Sequence, residues 1–280
     1  MISEVQTVLP MSDVGFIFDP FSHAGQRVHV TIIVLLACSL GVGGSAIGVG
    51  QQLPLQPMFN AQSPPGVAGA TRLARGGPVE AYYQPVEIRG PHGVQVSLAE
   101  TGQFGQPRNL PLNVGLLVGR VYRLKVMNLP GAEGAELFPT LEILDRLYPP
   151  PGQERHFPII VELHPQDIAF ALEGKFITRV IYLEDPQRAL PAGQAEQEQP
   201  WFEVRSDQDP LAVADTLGRP MVILRMGGRI PLPEEESDPR FLFGSPSLVI
   251  FPPQVKLLSG PPKAQVQAVV PQVTSEVELR

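Results

Sequence analysis

The chain has 280 residues, a formal net charge of −7 and 43% hydrophobic residues, with 32 prolines, 27 glycines and a single cysteine. An acidic balance without a Lys/Arg cluster argues against nucleic-acid binding, which must neutralise phosphates. One cysteine excludes an intrachain disulfide and any cysteine-cluster metal site.

Residues 1–27 carry Glu4, Asp13 and Asp19. They read as a disordered lead, acidic where the start of a signal peptide is basic. An over-long start or a short cytoplasmic tail would each account for it.

Residues 28–49 are the signal, lipoprotein or membrane-anchor segment. Val28–Ala37 is ten residues long and nearly all apolar, which is the length of a signal-peptide apolar region and short of a spanning helix. Leu35-Leu36-Ala37-Cys38 resembles a bacterial lipobox, in which Cys38 would take the lipid and the chain would be cut before it. Leu36 stands where a smaller residue is usual. Acylation at Cys38, an uncut single-pass anchor and ordinary cleavage all stay open at this point. Gly41-x-Gly43-x-x-Ala46 imitates a dinucleotide fingerprint. Gly48, Gly50 and Pro54 break the helix that motif needs, and no acidic residue falls between Asp19 and Glu80.

Residues 50–81 have no periodicity and many Pro, Gly and Gln, so they read as a flexible linker. Residues 82–230 are the folded body. Strands are expected near Pro85–Arg89 and Gly93–Ala99, split by the turn Gly90-Pro91-His92-Gly93. In "VYRLKVM", Tyr122, Leu124 and Val126 point one way and Val121, Arg123 and Lys125 the other, as in a strand with one buried face. "PTLEILDRL" is another strand. Phe157, Ile159, Val161 and Leu163 share a strand face, and Gln166–Glu173 reads as a short helix ended by Gly174. "FITRVIYLED" is apolar on both faces around Val180–Leu183, the mark of a central strand. Pro210–Leu217 is a second helix, capped by Asp209 or Asp207 and ended by Gly218. "PMVILRMGGR" is a last strand.

The fold class expected is therefore mainly β: an immunoglobulin-like β-sandwich with one or two short helices, flanked by disordered N- and C-terminal segments. Residues 231–280 form a Pro/Gln-rich tail, in which the apolar patch Phe241–Phe251 is the one piece suited to dock on the core.

Candidate chemistry is sparse. His156, Glu162 and His164 would share one face of an unbroken strand, but His156 would then lie about 25 Å from His164. Glu162 and His164 remain as potential metal ligands, and two ligands make no site unaided. Glu142, Asp145, Glu184 and Asp185 could pair as acid and base, though no spacing rule selects them. Trp201 with Phe202 could form an aromatic binding platform, and Glu234-Glu235-Glu236 with Asp238 could attract calcium. No serine sits in a nucleophile elbow. No catalytic residue and no cofactor are assigned.

The stretches "FPTLEIL" (138–144) and "VIYLEDP" (180–186) resemble uncharacterised exported or membrane proteins of planctomycete bacteria. The resemblance covers about Tyr82 to Pro231 and implies an envelope setting without a mechanism. The expected function is a non-catalytic, membrane-tethered structural or protein-interaction module of the bacterial envelope, attached through residues 28–49. Its protein partner is unassigned. The alternative is an exported hydrolase with an unrecognised site.

Overall fold

The computed structural model describes residues 2–10, 61, 63–77, 81–187, 201–205 and 207–252. In chain order the elements are β1 (Ile2–Pro10), α1 (Val67–Ala74), β2 (Tyr83–Arg89), β3 (Gln95–Glu100), β4 (Gln103–Phe104), β5 (Arg108–Asn109), β6 (Leu112–Leu117), β7 (Val121–Met127), β8 (Thr140–Ile143), β9 (Ile159–Glu162), α2 (Pro165–Leu172), β10 (Lys175–Glu184), β11 (Trp201–Glu203), α3 (Pro210–Leu217), β12 (Gly218–Met226) and β13 (Leu248–Ile250). The long sheet runs β11-β1-β10-β12-β8-β7-β3-β4, with β5 on β3, and the second runs β13-β6-β2-β9. Pairing is antiparallel apart from β1 with β11 and β2 with β9.

The two sheets close a sandwich over one aliphatic core. Tyr122, Leu124 and Val126 of β7 enter it, as their alternation demands, beside Val86, Val114, Ile159 and Leu141. Each such side chain, fully buried, contributes about 1.5–3 kcal/mol. β10 is interior to its sheet, and side chains on both of its faces are buried from Ile177 to Tyr182. Ile177 and Ile181 face the main core, while Val180 and Tyr182 face a second cluster with Val5, Leu211, Ala214 and Ile223. Helix α3 covers that second face. Asp209 caps it by accepting the Leu211 N–H, with Pro210 in the first turn.

Three of the places where the chain changes sheets are the Gly90–Gly93 turn, Gly119 and α2. Gly119 has φ +78° and donates its N–H to Ile143 O at 2.7 Å, a left-handed corner that favours glycine. Helix α1 sits on this corner. A Cβ added to Gly69 would come within 3.1 Å of Gly119 Cα.

Two boundaries differ from the sequence expectation. Residues 2–10, read as disordered lead, are a strand inside the long sheet. Its core-facing residues include Glu4 and Gln6, so a search for apolar alternation passes over it. Residues 67–74, read as linker, form α1, a helix of small residues suited to close approach. The part of the tail that docks lies within the apolar patch Phe241–Phe251, as expected. Leu242 is buried, Phe241 meets Phe138 at 5.8 Å between ring centroids, and β13 pairs with β6. The order of that segment comes from the surface it covers rather than from any period of its own. Helices number three among the described residues, where one or two were expected. Cys38 and residues 28–49 lie outside the described residues.

Candidate functional site: a buried ion cluster beside β1

Arg179 lies mid-way along β10 and is 1% exposed. It projects to the core side with Ile177 and Ile181, and antiparallel register places Gln6 opposite it and Glu4 opposite Ile181. Those three polar side chains therefore share one face. Arg179 Nη1 donates to Glu4 Oε2 at 2.8 Å, and its Nε donates to Asp167 Oδ2. Gln6 Nε2 donates to Asp167 Oδ1 at 2.7 Å. Asp167 comes from the first turn of α2, where Pro165 opens the helix and His164 is the extended N-cap residue.

His164 Nε2 stands 3.7 Å from Glu4 Oε2, and its ring lies 6.3 Å from that of Trp201. The Trp201 ring also covers Arg179, at 5.1 Å from its guanidinium carbon. Two buried carboxylates thus face one guanidinium beneath an indole lid. Glu4 Oε1 and His164 Nε2 are buried atoms without a hydrogen-bond partner among the described residues.

A second cluster occupies the opposite face of the same sheet. Arg225 Nη1 of β12 donates to Glu142 Oε2 of β8 at 2.7 Å, and the Gly69 N–H of α1 donates to Glu142 Oε1 at 2.8 Å. Asp145 pairs with Arg72 at 2.5 Å and Arg219 at 3.4 Å. Glu142 and Asp145, candidates for acid–base work, are thus acceptors that tie α1 to the sheet. Glu184 accepts the Ser3 hydroxyl. With Asp185, Asp215 and Arg219 it lines an open depression of about 320 Å³.

At the far end of the long sheet, Arg123 of β7 is held without a carboxylate among the described residues. It donates to the carbonyls of Phe138 and Phe241, at 2.7 and 3.1 Å, and lies over the rings of Phe241 and Phe243. Burial, reinforced by the Arg229 charge, pulls its pKa down to about 10. Its neighbour Tyr122 accepts the Leu117 N–H and donates to Ser247 O, and burial pushes its pKa up to about 12.

Of the residues singled out from sequence, His164 and Trp201 come together at the β1 cluster. Glu162 stays on β9 opposite Arg89. His156 ends a 3-10 turn, Glu154–His156, so the unbroken strand assumed for the three is not formed. Among the described residues no group of three or more His, Cys, Asp or Glu could hold a metal ion. Glu235 and Glu236 of the acidic run are paired with Arg229 and Lys125. Sequence reasoning missed Glu4, Gln6, Asp167 and Arg179. An arginine inside an otherwise apolar central strand was the one available signal for them, because such a charge requires a buried partner.

The chemistry open to the β1 cluster is limited by access. A general acid or base must come within hydrogen-bond reach of its substrate, and Glu4, Asp167 and Arg179 are all at most 1% exposed. The cluster joins β1, α2 and β10. Among the described residues no helix is long and apolar enough to cross a membrane. No protein-family model, no curated protein and no solved structure matches the chain.

Proposed function

We propose that the chain is a non-catalytic interaction module of the bacterial envelope, presenting the β11 edge of its long sheet to a protein partner. The observation that carries this reading is the pair Trp201 and Phe202, 44% and 40% exposed on the outermost strand among the described residues. An edge strand offers backbone donors and acceptors to an added strand, and tryptophan is among the strongest interface anchors. Of the carboxylates that could serve catalysis, Glu142 and Asp145 are instead engaged in ion pairs and Glu184 accepts the Ser3 hydroxyl. The immunoglobulin-like character of the sandwich belongs to this reading. Its support is two mainly antiparallel sheets on one core, with α2 in the corner between β9 and β10.

The envelope setting rests on the apolar residues 28–49 and on the planctomycete resemblance. Strand β1 bears on the mode of attachment. Residues 2–10 and 83–89 belong to one fold, and a single crossing by residues 28–49 would put a bilayer between them. Attachment from one side, by an apolar loop entering one leaflet, keeps both in place, whereas lipidation at Cys38 brings a cut that parts β1 from the body. A cut before Cys38 would leave β1 held by pairing alone.

The test places a photo-crosslinking amino acid at Phe202 or, as control, at exposed Val249, in the full chain in its native cells. A discrete adduct at position 202 that is missing at 249 is expected. Equal labelling at both positions would overturn the edge reading. Turnover of a model ester that disappears in Glu184→Gln would favour the hydrolase.

A further inference from the structure

Strand β1 reaches its place from far along the chain. It pairs with β10 over nine positions and with β11 over three, so it is an interior strand supplied by the N-terminal residues. Both of its faces are covered. Val5 packs in the second cluster with Leu211 and Ala214, while Glu4 and Gln6 complete the Arg179 cluster. Without β1, β10 loses its edge partner, Arg179 keeps one carboxylate, and Asp167 loses the Gln6 amide. The slot between β10 and β11 is therefore specific. It accepts a strand with a carboxylate facing Arg179, an amide two residues later and a small apolar residue between them on the other face.

We propose that this slot accepts the β1 of a second copy of this chain, giving a strand-exchanged dimer. The matching sequence, Glu4-Val5-Gln6, is present in every copy. Residues 11–60, fifty positions, join β1 to the next described residue, Ala61. That is far beyond the usual connection of about 4–6 residues, and its fully extended reach is about 165 Å. Exchange of an identical element creates no new contact and loses none. Closure within one molecule keeps its advantage only through effective concentration, which falls roughly as the −3/2 power of linker length. The exchange is independent of any envelope role and of the β11 edge.

The test uses full-length chains in which Cys38→Ser removes the native thiol. Ile2 of β1 lies opposite Leu183 of β10. A chain carrying Ile2→Cys is mixed with one carrying Leu183→Cys, both at high concentration, and then oxidised. The proposal expects a mixed disulfide dimer whose yield rises with concentration, several-fold above a control with the second cysteine at exposed Val249. Yields equal to the control would overturn it. A charge-reversal pair answers without disulfide chemistry. Glu4→Arg and Arg179→Glu each disrupt the cluster alone, whereas exchange between them restores opposite charges in both slots. Mixing should give a one-to-one dimer by light scattering that melts above either variant. Two unchanged monomer populations would overturn the proposal.

Discussion

At the β3–β7–β8 end of the long sheet, the paired strands lie within about fifty residues of each other, and the inward side chains are Val96, Leu98, Leu124, Val126 and Leu141. At the β11–β1–β10 end, residues 2–10 pair with residues 175–183, and the inward side chains include Glu4, Gln6 and Arg179. Aliphatic burial is non-directional, so it rewards any arrangement that removes apolar area from water. A buried ion cluster rewards only one register. Sliding β1 by two residues would bring Ile2 or Gln6 to the place of Glu4, breaking the Glu4–Arg179 pair and taking the Gln6 amide from Asp167. The polar end thus specifies where a strand from a distant part of the chain must stop. The apolar end has short connections to do that work.

The sharpest way to break this contrast is to remove the cation. Arg179→Met leaves Glu4 and Asp167 buried together without a counter-charge, and should cost about 3–5 kcal/mol in urea unfolding. Replacing all three, with Glu4→Leu, Asp167→Leu and Arg179→Met, should recover most of that loss. Amide exchange in β1 should nonetheless stay faster than in the native chain, because its register is no longer specified. A cost below about 1 kcal/mol for Arg179→Met would mean that the cluster behaves as an exposed pair.

The matching test at the apolar end is Leu124→Ala. Its expected cost is about 3 kcal/mol from lost burial and the cavity left behind. The loss should come with unchanged exchange in β1. If β1 loosens as much as it does in the Arg179 variant, the two ends are not separate.

The same contrast explains what could be read from the residues alone. β7 and β10 announce themselves through alternation or a continuous apolar run, and α3 through Asp209, Pro210 and Gly218. Each of those signals is local. β1 was hidden because Glu4 and Gln6 face the core, and their reason for doing so, Arg179 and Asp167, lies more than 160 positions away. Helix α1 was hidden for a related reason. Gly69, which weakens a helix by propensity, is there because Gly119 lies against it and because its N–H reaches Glu142. His164 and Trp201 could be picked out by residue type, but their partnership with Glu4 and Arg179 could not.

A smaller effect belongs to Tyr122, which links the apolar end to the docked tail. Its folded pKa of about 12 exceeds the ordinary value of 10. The folded state therefore holds the phenolic proton more tightly, and the stability this supplies is complete below pH 10 and lost as the pH rises towards 12. The loss is about 2–3 kcal/mol. Arg123 runs the other way. Its pKa is lowered to about 10, so its contribution rises with pH above that point. Subtracting the profile of Tyr122→Phe from that of the native chain isolates the tyrosine. The difference should shrink between pH 10 and 12, and a flat difference would show that the hydroxyl is not held as described.

The smallest effect is expected at Trp201. Its ring covers Arg179 and His164 while remaining 44% exposed, so Trp201→Ala should cost only about 0.5–1 kcal/mol. Its value lies in what it separates. If the indole serves mainly as a lid, its loss should quicken exchange in β1 and leave crosslinking from position 202 intact. If it serves mainly as an anchor for a partner, stability and exchange should hardly move while crosslinking at 202 falls several-fold. The chain has one tryptophan, so its emission reports on this end of the sheet alone. Glu4→Ala should shift that emission to the red by loosening β1 beneath the ring, whereas Leu124→Ala should leave it in place until the whole domain unfolds. A red shift in both would mean that the polar cluster is no independent unit.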